Sequence, residues 1–386
     1  MKYTMLKEVC SIKMGQSPAS DSYNDNGKGV PFFQGNADFG ERYPVARKWC
    51  SAPLKMAEPE DILISVRAPI GALNYTKEEC CIGRGLAALT PNKSKVSPEF
   101  MFWLLKGKNT ELNSKGTGST FKAIGRKVLE EILVPDIGIE QQAEYSAILE
   151  KINGIIQLRK HELQKLDDLT KARFIEMFGD PISNPFGWQV KKLADVSVLI
   201  TNGNTPKGGS ENYVDEGIIF LRSQNVWRNR IDLDDVAYID IDTHAAMKKS
   251  SVHDKDILIT KTGRINTENS SLGRAALFHG TDNSANINGH IYLVRLDGTV
   301  IPEYVVAILT GEPYRRYIRK VCVGGIDKRQ INLDQVEDFP IILPPIELQE
   351  QFVTFVTQTD KSKVAIQKSL EKTQLLFDSL MQKYFG

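Results

Sequence analysis

The chain says most things twice. Leu6-Lys-Glu-Val leading into Gly15-Gln-Ser-Pro18 returns as Leu193-Ala-Asp-Val leading into Gly203-Asn-Thr-Pro206. Gly29-Val-Pro-Phe-Phe-Gln-Gly-Asn36 returns as Gly217-Ile-Ile-Phe-Leu-Arg-Ser-Gln-Asn225, and Asp61-Ile-Leu-Ile-Ser65 as Asp256-Ile-Leu-Ile-Thr260. Ile82-Gly-Arg-Gly-Leu-Ala-Ala-Leu89 matches Ile287-Asn-Gly-His-Ile-Tyr-Leu-Val294, and Pro98-Glu-Phe matches Pro302-Glu-Tyr. Ile132-Leu-Val-Pro135 matches Ile341-Ile-Leu-Pro344, with Gln142 and Gln351 following, and Met177-Phe-Gly179 matches Tyr384-Phe-Gly386. The offset drifts from 188 at Gly29 to 195 at Asp61, 205 at Ile82 and 209 at Ile132, as it does when loops differ in length and elements persist. Seven matches in one order exclude chance. A 386-residue chain is long enough for two or three domains, and the repeat makes two of them copies of one unit.

Within each copy the apolar runs are short. Asp-Ile-Leu-Ile and the runs Ile82–Leu89 and Ile287–Val294 read as buried strands. Gly-, Asn- and Thr-rich stretches, such as Thr201–Pro206 and Lys115–Thr120, read as turns. Gly15, Gly83, Gly203 and Gly289 read as turn glycines that need positive φ. Pro98-Glu-Phe-Met-Phe-Trp opens a short helix with Pro in its first turn. The fold class is α+β, with a mixed module over residues 1–138 and another over 181–345.

A different texture follows each module, over 139–180 and 346–386. Leu149, Ile152, Ile156, Arg159, Leu163, Leu166, Thr170, Arg173 and Met177 alternate three and four apart. So do Phe352, Val356, Thr359, Lys363, Ile366, Leu370, Thr373, Phe377, Leu380 and Tyr384. That is a coiled-coil seam with polar interruptions. About 36 residues at ~1.5 Å each make a rod of roughly 54 Å. The pseudo-twofold implied by the repeat predicts that the two helices pair antiparallel.

Charge excludes a protein that coats nucleic acid unselectively. The net charge is +1, with 49 basic and 48 acidic residues. The first module carries +4 and the second −1, which leaves room for a local basic face on each. Five cysteines without C-x-x-C spacing, Cys80 and Cys81 among them as strand filling, point to a reducing, cytoplasmic compartment. No signal peptide and no membrane span is expected. There is no phosphate-binding G-x-x-x-x-G-K-[ST] loop. Asn184-Pro-Phe-Gly lacks the second proline of an adenine methyltransferase motif. Pro135-Asp-Ile-Gly-Ile-Glu-Gln-Gln142 has Gln where a nuclease needs Lys, and reads as a strand end followed by a helix start. The five histidines have no metal-ligand spacing.

Two related readers on a rod suit a split linear target, and dimeric DNA readers take half-sites ~34–36 Å apart. At this point the motifs carry a resemblance. Gly15-Gln-Ser-Pro18, Phe32-Phe-Gln-Gly-Asn-Ala-Asp-Phe-Gly40, Ile64-Ser-Val-Arg-Ala-Pro-Ile-Gly71, Ile82–Leu89, Asp256–Gly263, Asn286-Ile-Asn-Gly-His-Ile and Pro344-Pro-Ile-Glu-Leu-Gln-Glu-Gln351 occur in order. The whole chain resembles the specificity subunit of type I restriction-modification systems. The resemblance implies two target recognition domains, each reading half of a bipartite double-stranded DNA site. It further implies helices that dock two methyltransferase subunits, and motor-nuclease subunits that join them. S-adenosylmethionine, ATP and Mg²⁺ would belong to those partners, with no cofactor and no catalytic residue on this chain. A solitary DNA-binding regulator and a scaffold of the same fold are the rival readings.

Bases are read by Arg, Lys, Asn and Gln, and phosphates are held by Lys, Arg and backbone N–H groups. Loops after the repeated strands supply those types. The candidates are Gln34, Asn36, Arg67, Arg84, Lys122 and Arg126 in the first module. In the second they are Asn204, Arg222, Gln224, Asn225, Lys261, Arg264, Lys328 and Arg329.

Overall fold

The structure, a computed structural model, describes residues 2–118, 122–265, 267, 269–325 and 328–386. The expected turn at Lys115–Thr120 ends on Ser119 and Thr120, outside the described residues. Contacts divide the chain into two units, Met1–His161 with Ile366–Gly386, and Glu162–Ala365.

In the first unit, strands Cys10–Met14, Leu86–Pro91, Ile62–Ser65 and Leu73–Tyr75 form an antiparallel sheet in that order. A second sheet runs Tyr23–Asn24, Trp49–Cys50, Val30–Phe33, Cys80–Ile82, Met56–Ala57, with Val30–Phe33 and Cys80–Ile82 parallel. The second unit repeats the plan. Ser197–Asn202, Ile291–Leu296, Ile257–Thr260 and Ala275–Leu277 form one sheet, and Ala237–Ile239, Ile218–Leu221, Ala285–Ile287 and Ser251–Val252 the other. Again only the central pair, Ile218–Leu221 with Ala285–Ile287, is parallel. Even the register repeats: Phe33 faces Ile82 as Leu221 faces Ile287. The drift in sequence offset is therefore loop length alone. Ile62–Ser65 and Ile257–Thr260 are buried at every position, which is why those runs show no alternation.

Two expectations need correcting. The runs Ile82–Leu89 and Ile287–Val294 are not single strands. Cys80–Ile82 lies in one sheet and Leu86–Pro91 in the other, and Ala285–Ile287 and Ile291–Leu296 divide the same way. Gly83–Gly85 makes the crossing: Gly83 N donates to Phe33 O at 2.8 Å and Gly85 N to Gln34 O at 3.2 Å. Nor do Gly15, Gly83, Gly203 and Gly289 have positive φ. For Gly15 and Gly203 the constraint is closeness. A Cβ on Gly15 would sit 2.1 Å from Gly83 O, and one on Gly203 2.2 Å from Ile287 O.

Each central strand begins at a buried carboxylate. Asp61 Oδ2 accepts from Glu58 N at 2.9 Å, and Asp256 Oδ2 from His253 N at 2.7 Å. There the copies part. Arg295 grips both oxygens of Asp256, at 2.9 and 2.7 Å. Across from Asp61 the chain has Thr90, and Asp61 Oδ1 is buried without a hydrogen-bond partner among the described residues. Cys80 and Cys81 are buried strand residues, and burial pushes the Cys80 thiol up to about 12.

The long helices run Ile139–Phe178 and Ile346–Phe385, 40 residues each, or about 60 Å at ~1.5 Å per residue. A buried glutamine pins the start of each. Gln142 Oε1 accepts from Ser97 N at 2.9 Å, and Gln349 Oε1 from Ile301 N at 3.1 Å. Their amides return to Ile137 O and Pro344 O, both at 2.9 Å. The repeat partner of Gln142 is thus Gln349, not Gln351, which is exposed. The strand end at Leu133–Pro135 and the helix start at Ile139 agree with the reading of that segment.

Every seam residue expected from the three-four spacing is buried or half-buried. The helices pair antiparallel within each unit. In the first, Tyr145 near the start of one helix stacks on Tyr384 near the end of the other, ring centroids 3.8 Å apart. In the second, Phe174 and Phe178 at the end of one meet Phe352 at the start of the other, at 5.4 and 5.6 Å. Each module shares its core with these half-helices. Leu149, Ile152, Phe377, Tyr384 and Phe385 join Phe100 and Trp103 in the first; Phe174, Phe178 and Phe352 join Tyr304 in the second.

Candidate nucleic-acid interface

Beyond Ser65 the first module's central strand runs into a short ladder. Val66 N donates to Gly85 O at 2.9 Å, and Gly85 N donates to Gln34 O. Ala68 N donates to Lys122 O at 3.0 Å, Ile124 N to Val66 O at 2.9 Å, and Arg67 bridges to Ala123. These backbone bonds put Gln34, Arg84, Arg67 and Lys122 along one edge, all four exposed. Arg84 Nε donates to Ser17 Oγ at 3.3 Å. Among the described residues Arg67, Arg84 and Lys122 face no carboxylate in an ion pair. Asn36 is half-buried in a turn capped by Asp38, whose carboxylate also accepts from Gln34 N at 2.7 Å. Arg126 is tied to Glu130 at 2.7 Å on its own short helix, apart from the hydrogen bonds that build that edge.

The second module builds the same ladder. Asn288 N donates to Leu221 O at 2.9 Å, Lys261 N to His290 O at 2.8 Å and Ile331 N to Lys261 O at 3.0 Å. Thr262 pairs with Gln330 and Gly263 with Arg329. Lys261, Arg264, Lys328 and Arg329 are thereby brought together. Arg264 and Lys328 line an open cavity of about 620 Å³, with Asn269 and Ser270 on its wall. Lys261 Nζ lies 5.6 Å from the Tyr292 ring centroid, and Arg329 Nε is buried without an acceptor among the described residues. Asn204 lines a separate cavity of about 380 Å³ beside Thr205 and Lys207.

Three candidates are engaged within the protein. Arg222 pairs with Asp235 at 3.0 Å, and Gln224 Nε2 donates to the same carboxylate at 2.6 Å. Asn225 is 2% exposed. Its amide donates to Asp232 O and Asp235 O at 3.0 and 2.8 Å, and its Oδ1 accepts from Arg222 N at 2.9 Å. Asn225 therefore fastens a turn and has no edge left for a base.

The sequence reading passed over the arginines around Trp227. Arg274 is 7% exposed, with its guanidinium 3.9 Å from the Trp227 centroid. Arg230 covers the same ring at 5.4 Å. Helix Glu312–Val321 carries Arg315, Arg316, Arg319 and Lys320. Their three-four spacing was the available signal. Among the described residues no group of His, Cys, Asp or Glu could hold a metal, and no helix is long and apolar enough to cross a membrane.

Two copies of one α+β module, each with a cation-bearing ladder and each leading into a forty-residue helix, define a duplicated recognition architecture. The chain belongs to the family of the type I restriction modification DNA specificity domain, whose model matches residues 1–168 and 185–375. It is 43% identical over 160 residues to the MjaX type I restriction enzyme specificity subunit of Methanocaldococcus jannaschii, spanning 42% of this chain and 38% of that protein. It is 22% identical to the MjaIX specificity subunit of the same organism over 98% of this chain and 91% of the relative. The type I restriction-modification S subunit from M. genitalium has the same fold, with a TM-score of 0.60 at 13% identity, covering 100% of this chain and 96% of that one.

Proposed function

We propose that this chain is the sequence-reading, non-catalytic subunit of a type I restriction-modification complex, with each module taking one half of a bipartite DNA target. The observation that carries the reading is the ladder built twice with different side chains: Gln34, Arg67, Arg84 and Lys122 on one copy, Lys261, Arg264, Lys328 and Arg329 on the other. One backbone frame presenting two donor sets suits two unlike half-sites. Arginine and lysine match guanine edges and phosphates, and glutamine matches adenine. The long helices set the spacer and dock two methyltransferase subunits, and motor-nuclease subunits complete the assembly. S-adenosylmethionine, ATP and Mg²⁺ act on those partners.

The test is sequencing of methylated adenines in DNA from cells expressing the cognate methyltransferase with and without this chain. A split motif that appears only with the chain is the expected result. An unsplit motif, or no methylation beside an active methyltransferase, overturns the reading in favour of a scaffold or a solitary regulator.

A further inference from the structure

The second module's short helix Glu312–Val321 carries a row of cations that its counterpart Asn109–Ser114 lacks, and that row is continuous with the ladder. Arg274 joins the two. Its guanidinium lies on Trp227, while Nε and Nη2 donate to the carbonyls of Ser270 and Asn269, both on the wall of the cavity that holds Arg264 and Lys328. From Trp227 the hairpin of Val226–Trp227 and Arg230–Ile231 turns through Arg228 and Asn229. Asn229 N donates to Ala275 O at 2.9 Å, and Thr310 Oγ1 contacts Asn229 Oδ1 at 3.2 Å. Those bonds hold the turn against the segment that leads into helix Glu312–Val321. Burial pushes the Arg228 guanidinium down, and Arg315, Arg274 and Arg319 beside it push the same way against Glu312. Cations have been gathered here despite their repulsion. Glu312 pairs with Arg315 at 2.9 Å and Asp232 with Arg230 at 3.5 Å. Among the described residues Arg228, Arg316, Arg319 and Lys320 form no ion pair.

The first module treats the corresponding loop differently. Arg42 there is bound to Glu150 of the long helix at 2.9 Å. Its short helix Asn109–Ser114 has Glu111 satisfied by Lys108 and Lys115, at 3.7 and 2.6 Å. That helix itself carries no cation, and in the loop Arg47 donates to Ala37 O at 3.3 Å, while among the described residues Arg47 and Lys48 form no ion pair.

We infer that Arg228, Arg315, Arg316 and Arg319 form a phosphate-binding face for the DNA backbone flanking the second module's half-site. The inference rests on the proposed DNA-reading function. Four clustered cations on rigid supports suit a row of phosphates, and guanidinium groups take phosphate bidentately.

The experiment uses the chain assembled with its methyltransferase subunits and a duplex bearing the methylated motif. Arg228→Ala/Arg319→Ala is compared with wild type across a salt series. Each phosphate contact contributes about 0.9 to the slope of log K against log[salt], so the pair is expected to flatten it by about 1.8 and weaken binding at least roughly tenfold at low salt. The methylated motif stays the same. Arg228→Lys/Arg319→Lys, which keeps both charges, restores most of the slope, and Lys115→Ala on the first module leaves it unchanged. An unchanged slope in the alanine variant, or a loss of methyltransferase assembly with DNA affinity intact, overturns the inference. Failure of wild type itself to bind or to direct methylation counts instead against the DNA-reading function.

Discussion

Asp61 and Asp256 occupy one position in two copies and live in different electrostatic circumstances. A carboxylate 1% exposed needs partners, because its desolvation cost is several kcal/mol. Asp256 has a bidentate arginine, three-quarters buried. Arg295→Ala is expected to destabilise the second unit by about 3 kcal/mol, the low end for a broken buried pair because Arg295 keeps some solvent. Thr90→Arg is expected to raise the first unit's unfolding midpoint by supplying the missing partner. Urea unfolding of both variants checks this, and a neutral Arg295→Ala would mean that backbone N–H groups suffice. The aspartates were legible as strand openers, but the arginine was not, because it pairs across a strand 39 residues away. Glycines show the same limit. Sequence marks Gly15 as irreplaceable without telling a left-handed backbone from a carbonyl packed against its Cα. Side chains such as Asn225 and Gln34 look alike in a list of base-reading types, and only burial separates them.

At the scale of elements, the long helices were legible almost residue by residue, since three-four spacing over 40 residues admits one interpretation. The crossing between sheets at Gly83–Gly85 was not. Both flanking strands are buried, so the apolar pattern runs through the break unchanged. The helix ends are sealed by aromatic rings. Phe178, fully buried, meets Tyr304 at 5.0 Å and Phe352 at 5.6 Å. Phe178→Ala is expected to cost ~3–5 kcal/mol through lost burial and an unfilled cavity. Thermal unfolding monitored in the second unit should show it directly, and a loss below ~1 kcal/mol would mean that the cluster repacks. The basic face of helix Glu312–Val321 was open to the same periodicity argument.

For the molecule as a whole, the repeat foretold the architecture because duplication leaves its record in sequence order. It could not foretell how the cores close. On the proposed function the continuous helices carry the distance between half-sites. Removing one heptad from both shortens each by about 10.5 Å, at ~1.5 Å per residue. The spacer in the methylated motif is expected to contract by about three base pairs, at ~3.4 Å each. An unchanged spacer in an assembled, active complex would mean that the helices do not set it.

The sharing of each core between a module and two half-helices also imposes an order of birth. Glu162–Ala365 is one uninterrupted stretch and can collapse as soon as it has been synthesised. The first unit cannot. Its core needs Phe377, Tyr384 and Phe385, which leave the ribosome only after the whole of Glu162–Ala365. The module made first is therefore finished last, and until then Phe100 and Trp103 wait without the rings that cover them. Such distant closure is slow and leaves apolar surface open to chaperones or to wrong partners.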